Sequence, residues 1–132
     1  KIFNEKNIDI KTFFAPNHTF DFNTIKACKN SGITSIIDGY GISPYHEEDI
    51  IFFPQLFYKL LAMPFGFQTL QIHLNYYSEE DFIKLQRFVE KNNKEITTIS
   101  QAFNMVNNSL SNRIIKLILE KTLKLKRLFF FN

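Results

Sequence analysis

The sequence predicts an α/β protein with a mainly parallel sheet. Three observations carry that expectation. Short β-branched or aromatic runs alternate with segments of helical apolar spacing, in the order strand, helix, strand, strand, helix, strand. Several of these runs close on proline or glycine, where a loop must begin. At 132 residues, 45% hydrophobic and 22% charged, the chain has the balance of one folded domain, or part of one, rather than of a disordered segment.

Residues 12–15 read as a first strand, stopped by Pro16, which cannot donate to a ladder. Asp21 or Thr19 then caps a helix running to about residue 30, with Ile25 and Cys28 facing inward and Gly32 as its left-handed stop. The β-branched run Thr34-Ser35-Ile36-Ile37 forms the next strand, and Asp38-Gly39-Tyr40-Gly41 leaves it as a glycine-rich turn. Residues 43–49, polar around Pro44, read as a surface loop. Residues 50–53 give a short strand ending at Pro54, and residues 57–61 a further extended piece.

Residues 69–74 read as the best buried strand. Ser78-Glu79-Glu80-Asp81 then opens a helix, because a serine cap and acids in the first turn satisfy unpaired amides and the helix dipole. Its apolar stripe is Phe82, Leu85, Phe88 and Val89. Residues 96–99 read as a last strand, Ser100 caps a short helix to about residue 107, and residues 111–128 read as helical. The expected division is a body, residues 1–104, and a basic amphipathic helical segment, residues 105–132.

The net charge of +3 is unevenly spread. Residues 105–132 hold six Lys or Arg against one Glu, which leaves ten basic against twelve acidic residues in the body. No concentrated basic face, and so no nucleic-acid partner, is expected there. In the tail, Ile114, Leu117, Ile118 and Leu125 are interleaved with Arg113, Lys116, Lys121 and Lys124. That pattern suits packing on the body or peripheral contact with an anionic membrane. Cys28 is the single cysteine, so neither a disulfide nor a cysteine zinc framework applies. With no apolar run of about 18 residues, no membrane span is expected, and the compartment stays open between cytoplasmic and membrane-peripheral.

In open α/β sheets and barrels, reactive groups gather at the carboxyl ends of strands. Pro16-Asn17-His18, Asp38 and His73-Leu74-Asn75 all fall at or just past expected strand ends. Imidazole as a class can pass a proton near neutral pH, which makes His73 a candidate acid or base; a hydrogen-bonded core histidine is the plainer reading. His18 suits an oxyanion donor, a proton shuttle or a metal ligand, or simply a solvated loop position. Asp38 could orient a histidine or bind a cation, and a turn-forming aspartate explains it almost as well. Asn17, Asp21, Tyr40 and Asn75 stand near these as substrate-binding candidates, although Asp21 also fits a plain helix cap. No HxxxH or HExxH pair, GxSxG elbow or phosphate-binding glycine loop appears.

Taken in order, Ala15-Pro16-Asn17-His18-Thr19-Phe20-Asp21, then Gly32-Ile33, then Ile37-Asp38-Gly39-Tyr40 and finally Leu70-Gln71-Ile72-His73-Leu74-Asn75 resemble the polysaccharide deacetylase superfamily, in an uncharacterised bacterial branch related to the NodB-homology enzymes. The resemblance covers residues 13–103. It implies a distorted (β/α)7 barrel whose members remove acetyl groups from glycans with a divalent metal, usually zinc. His73 would match the histidine that protonates the leaving amine, Asp38 an acid that orients catalytic groups, and His18 a site-facing group in the third-motif loop. The family's aspartate pair and HxxxH ligands would lie upstream, so the chain resembles the C-terminal half of such a domain, with metal ligands mainly outside it and a missing N-terminal half as partner. The third-motif arginine is replaced by Ala15, a departure that favours the alternative of a non-catalytic glycan-binding or scaffold module.

Overall fold

Asp21 stands before a run with no proline or glycine until Gly32, and a helix forms between them. In the computed structural model, which describes every residue except Lys1, Tyr58, Phe131 and Asn132 and leaves aside the side chains of Ile2, Asn4, Asn17 and residues 126–130, the chain is mixed α/β. A short helix α1, Ile2–Glu5, precedes strand β1, Thr12–Phe14, and helix α2, Phe22–Asn30. Strand β2, Ser35–Gly39, is followed by the hairpin β3, Tyr45–Glu47, and β4, Ile50–Pro54. Helices α3, Glu79–Asn92, α4, Ile99–Ala102, and α5, Leu110–Phe130, complete the chain.

The four strands form an open sheet in the order β1-β2-β4-β3. β1, β2 and β4 run parallel, and β3 closes one edge antiparallel to β4. In register, Phe13, Ile36 and Phe52 form one row and Phe14, Ile37 and Phe53 the next. Successive residues point to opposite faces, so the two rows serve two faces. On the first, Ile36 and Phe52 join Cys28 of α2, Tyr45 and Ile50 in the buried core, with Phe13, Phe20, Ile25 and Ile33 packed against it. Phe52 is stacked on both Phe20 and Tyr45, at centroid distances of 5.7 and 5.4 Å. On the second face Phe53 packs against Phe67 and Phe103.

Two expectations on strands are corrected. Residues 69–74 form no strand: both sides of β4 are taken, by β2 and by β3, and Thr69 instead donates its N–H and hydroxyl to the Pro54 carbonyl, each at 2.8 Å, just past the ladder. The occupant of that edge is Tyr45–Glu47, from the segment expected to be a loop; buried Tyr45 and exposed His46 alternate against β4. Residues 57–61 likewise carry no strand among those described. Residues 96–98 are irregular, because Thr98 and Gln101 make a capping box that starts α4 and overrides the β-branched run; Thr98, not Ser100, is the cap.

α2 and α3 begin where the caps place them. Asp21 accepts the Thr24 N–H at 2.8 Å, and Ser78 accepts that of Asp81 at 3.2 Å. Gly32 follows α2 with φ +76°. No residue of α3 is buried, and its expected stripe is split, with Leu85 and Phe88 half-buried but Phe82 and Val89 exposed.

α5 meets the body through polar groups. Asn112 Nδ2 ties α5 to the Asn107 carbonyl at 2.7 Å, and Asn107 in turn donates its N–H to the Pro44 carbonyl at 2.8 Å; Lys116 Nζ donates to Glu47 Oε1 at 2.9 Å while lying over the Tyr45 ring. Leu110, Ile114, Leu117, Ile118 and Leu125 of the same helix remain exposed. Among the described residues, no helix is long and apolar enough to cross a membrane.

Candidate functional site

Three parallel strands end side by side, and the residues that follow them build a site. Past β1, Pro16 opens a one-turn 3-10 helix, Pro16–His18, whose last residue turns back with φ +53°. Near the end of β2 the register with β4 shifts between Ile37 and Gly39, and Asp38, in that irregularity, has φ +119°. Such backbone costs of order 1–3 kcal/mol for a side-chain-bearing residue, and it concentrates at functional positions. Its result here is contact. His18 Nδ1 lies 2.8 Å from Asp38 Oδ1 and 3.0 Å from Oδ2.

Both partners are largely withdrawn from solvent, with side-chain exposures of 16% for His18 and 7% for Asp38. That shielding strengthens the interaction relative to a surface pair. The ring of Phe14 meets the His18 ring edge-on at 5.4 Å. An ionised carboxylate can only accept, so in this bond His18 Nδ1–H donates to Asp38.

On the face of the Phe14 and Ile37 row lies a cleft of about 230 Å³ lined by Phe14, Ile37, Gln55, Thr69, Leu70 and Gln71; neither His18 nor Asp38 lines it. Gln55 directly follows β4 and is 7% exposed; its N–H donates to the Gly39 carbonyl at 3.0 Å, tying the end of β4 to β2. Gln68, next to the cleft-lining Thr69, accepts the Leu56 N–H at 2.9 Å and donates to the Gly41 carbonyl at 3.3 Å. Gln55 Nε2 and Gln71 Oε1 are buried and have no hydrogen-bond partner among the described residues.

The structure thus joins His18 and Asp38. His73 is exposed, at the N-cap of a 3-10 turn, Leu74–Tyr76, with its ring 6.1 Å from that of Tyr76; it stands two residues beyond the cleft-lining Gln71. Asn75 is exposed in the same turn. The Asp21 carboxylate is engaged in capping α2, and its hydrogen bonds from Thr24 hold it below the usual carboxylate range. Tyr40 is half-buried, with Lys124 Nζ 5.9 Å from its ring centre, so it faces α5. Asn17 belongs to the 3-10 turn before His18, and its side chain lies outside what is described.

Sequence reasoning missed Gln55 and Gln71. Gln55 had a signal, since it is a polar residue directly after an apolar strand and proline, the same placement that drew attention to Asp38. Gln71 had none, because it lies inside the run that reads as a buried strand.

A catalytic zinc takes three protein ligands. His18 and Asp38 offer two, and among the described residues no group of three or more His, Cys, Asp or Glu side chains could hold a metal ion. This chain's own described residues therefore do not fit a complete metal centre.

No protein-family model matches the chain, and neither the curated proteins nor the solved structures include a match to it.

Proposed function

We propose that this chain carries the proton-transfer side of a hydrolase pocket acting on acetylated glycans, in the manner of the deacetylase superfamily it resembles. The observation that supports this most is the 2.8 Å bond between His18 Nδ1 and Asp38 Oδ1 at the carboxyl end of adjacent parallel strands. A carboxylate on Nδ1 orients the ring and stabilises the imidazolium formed when Nε2 takes a proton from an attacking water. The same nitrogen then returns the proton to the leaving amine. His73, on the segment that continues the cleft wall, is proposed as a second proton donor, and Asn17, Asp21, Tyr40 and Asn75 as glycan contacts.

On this reading the open sheet is one arc of a (β/α) barrel, continued from the edge at β1 by strands outside this chain. A divalent metal, zinc by resemblance, would draw its ligands from there.

The test is acetate release from N-acetylated chitin fragments. His18→Gln should lower turnover by roughly 10²–10⁴-fold, and His73→Ala should also impair it. Turnover unchanged in His18→Gln would remove the dyad from the mechanism. A second reading, a non-catalytic glycan-binding module, is favoured by Ala15 standing where the family carries arginine. Saturable glycan binding without acetate release is its expected signature.

A further inference from the structure

We propose that α5 is a membrane-surface helix: its outward stripe of Leu110, Ile114, Leu117, Ile118 and Leu125 enters the headgroup region of an anionic bilayer, while Arg113 and Lys121 engage the lipid headgroups. Such docking is independent of the hydrolase reading and goes beyond it.

α5 is turned the opposite way from an ordinary surface helix. Asn112 and Lys116, both buried, and half-buried Glu120 recur at spacings of four on one side, where Lys116 bonds to Glu47 of the body. The apolar stripe is on the other side. Leu110, Ile114, Leu117, Ile118 and Leu125 are 48–72% exposed and recur at helical spacing. An amphipathic helix normally turns that stripe to the core, and a contiguous apolar stripe left in solvent marks an interaction surface.

Charge decides what covers it. Residues 105–132 hold six Lys or Arg against one Glu, and that acid, Glu120, is engaged by Lys116 and Lys124 at 3.0 and 2.6 Å. Arg113 and Lys121 are exposed and make no ion pair among the described residues. Lys121 follows Leu117 by four positions and precedes Leu125 by four, so the helical period sets it within the stripe. In the core of a protein interface that ammonium would lose its water, and such cores are depleted of lysine. A second copy would set Arg113 and Lys121 against like charges, because the stripe carries no acid. At a bilayer surface, by contrast, the lysine stem lies along apolar surface while its ammonium reaches the headgroups. An anionic lipid surface thus fits both the stripe and its charges.

The experiment is co-sedimentation of the chain with vesicles of equimolar phosphatidylserine and phosphatidylcholine, and with vesicles of phosphatidylcholine alone. Saturable binding to the first, weakened by added salt, is expected. Each basic side chain near an anionic surface strengthens binding about fivefold, so the double variant Arg113→Gln, Lys121→Gln should bind about twenty-five-fold more weakly. Ile118→Asp should abolish binding, whereas Ile83→Gln, at an exposed apolar position of α3, should bind as the parent does. All four positions are exposed, and circular dichroism checks that each variant keeps its helices. No binding to either vesicle, equal binding to both, full binding by Ile118→Asp, or an equal loss in Ile83→Gln would overturn the proposal. So would a concentration-dependent dimer, seen by sedimentation equilibrium, that Ile118→Asp dissociates, since the stripe would then belong to a second copy.

Discussion

His18 and Asp38 stand 20 positions apart in the chain, yet Nδ1 of one lies 2.8 Å from Oδ1 of the other, and both residues hold backbones with positive φ. A charge-assisted hydrogen bond contributes roughly 1.5–3 kcal/mol, while each strained residue costs about 1–3 kcal/mol. The two effects are of similar size. Asp38→Gly, which removes the bond and the strain together, should then change stability by no more than about 1 kcal/mol. Asp38→Ala keeps the strain and loses the bond, and should cost about 2–3 kcal/mol. Urea midpoints compare them directly; equal stabilities for the two variants would show that the backbone at Asp38 stores no strain.

The turn at Gly66 packs against Ile42. Its φ is +82°, and a Cβ placed there would lie 2.3 Å from the Ile42 carbonyl oxygen, the same oxygen that accepts the Phe67 N–H at 2.7 Å. Gly66→Ala should cost about 2–3 kcal/mol and should expose the Phe67 amide to hydrogen exchange. A variant as stable as the parent, with that amide still protected, would mean that the turn shifts without loss.

Where local chemistry decides, the chain was legible. Asp21, Ser78 and Gly32 placed the bounds of α2 and the start of α3, and Pro16 and Pro54 marked the ends of β1 and β4. Where strands compete for one edge, it was not. Residues 69–74 and 45–47 both alternate, and only the short reach of the Glu48-Asp49 turn gives β3 the place beside β4. The candidate site divides the same way. His18 and Asp38 could be singled out because each falls at or just past an expected strand end, but their pairing depends on the parallel register of β1 and β2, which no spacing in the sequence specifies. Gln71 faces the cleft only because its segment is not a strand.

That hairpin carries a correctable flaw. Glu48 and Asp49 occupy the two central positions with φ of +51° and +59°, the pattern of a type I′ turn, in which Asn and Gly are preferred. Asp49 pairs with Lys29 at 3.0 Å, so Glu48 is the position to change. Glu48→Asn should raise stability by about 0.5–1 kcal/mol. A thermal midpoint at or below that of the parent would count against the turn assignment.

Lys116 anchors α5. Burial pushes its ammonium down, but the Glu47 and Glu120 carboxylates, at 2.9 and 3.0 Å, outweigh that and leave it raised. Since Glu47 is half-exposed and Glu120 keeps Lys124 at 2.6 Å, removing the lysine charge strands neither acid completely. Lys116→Met should cost about 1–2 kcal/mol, and a double-mutant cycle with Glu47→Gln should show coupling of about 0.5–1 kcal/mol. Strict additivity would place the anchoring in Asn112 and the Tyr45 ring contact instead.

Acid should loosen α2 and α3 through their caps. Hydrogen bonds from the Thr24 backbone and hydroxyl hold the Asp21 carboxyl below its ordinary 3.8, and those from the Ser78 hydroxyl and backbone do the same for Asp81. Both groups therefore have folded values depressed below their unfolded ones. The sign follows: the unfolded chain binds the proton more readily, so the caps' contribution is complete above 3.8 and is lost as pH falls through the lower folded values. Asp21→Asn keeps an oxygen that can accept the Thr24 N–H but cannot titrate. The protection of the Thr24 amide, its exchange relative to the intrinsic rate at each pH, should fall on acidification in the parent and should change much less in that variant. The same loss of protection in both would locate the acid sensitivity of α2 elsewhere than in its cap.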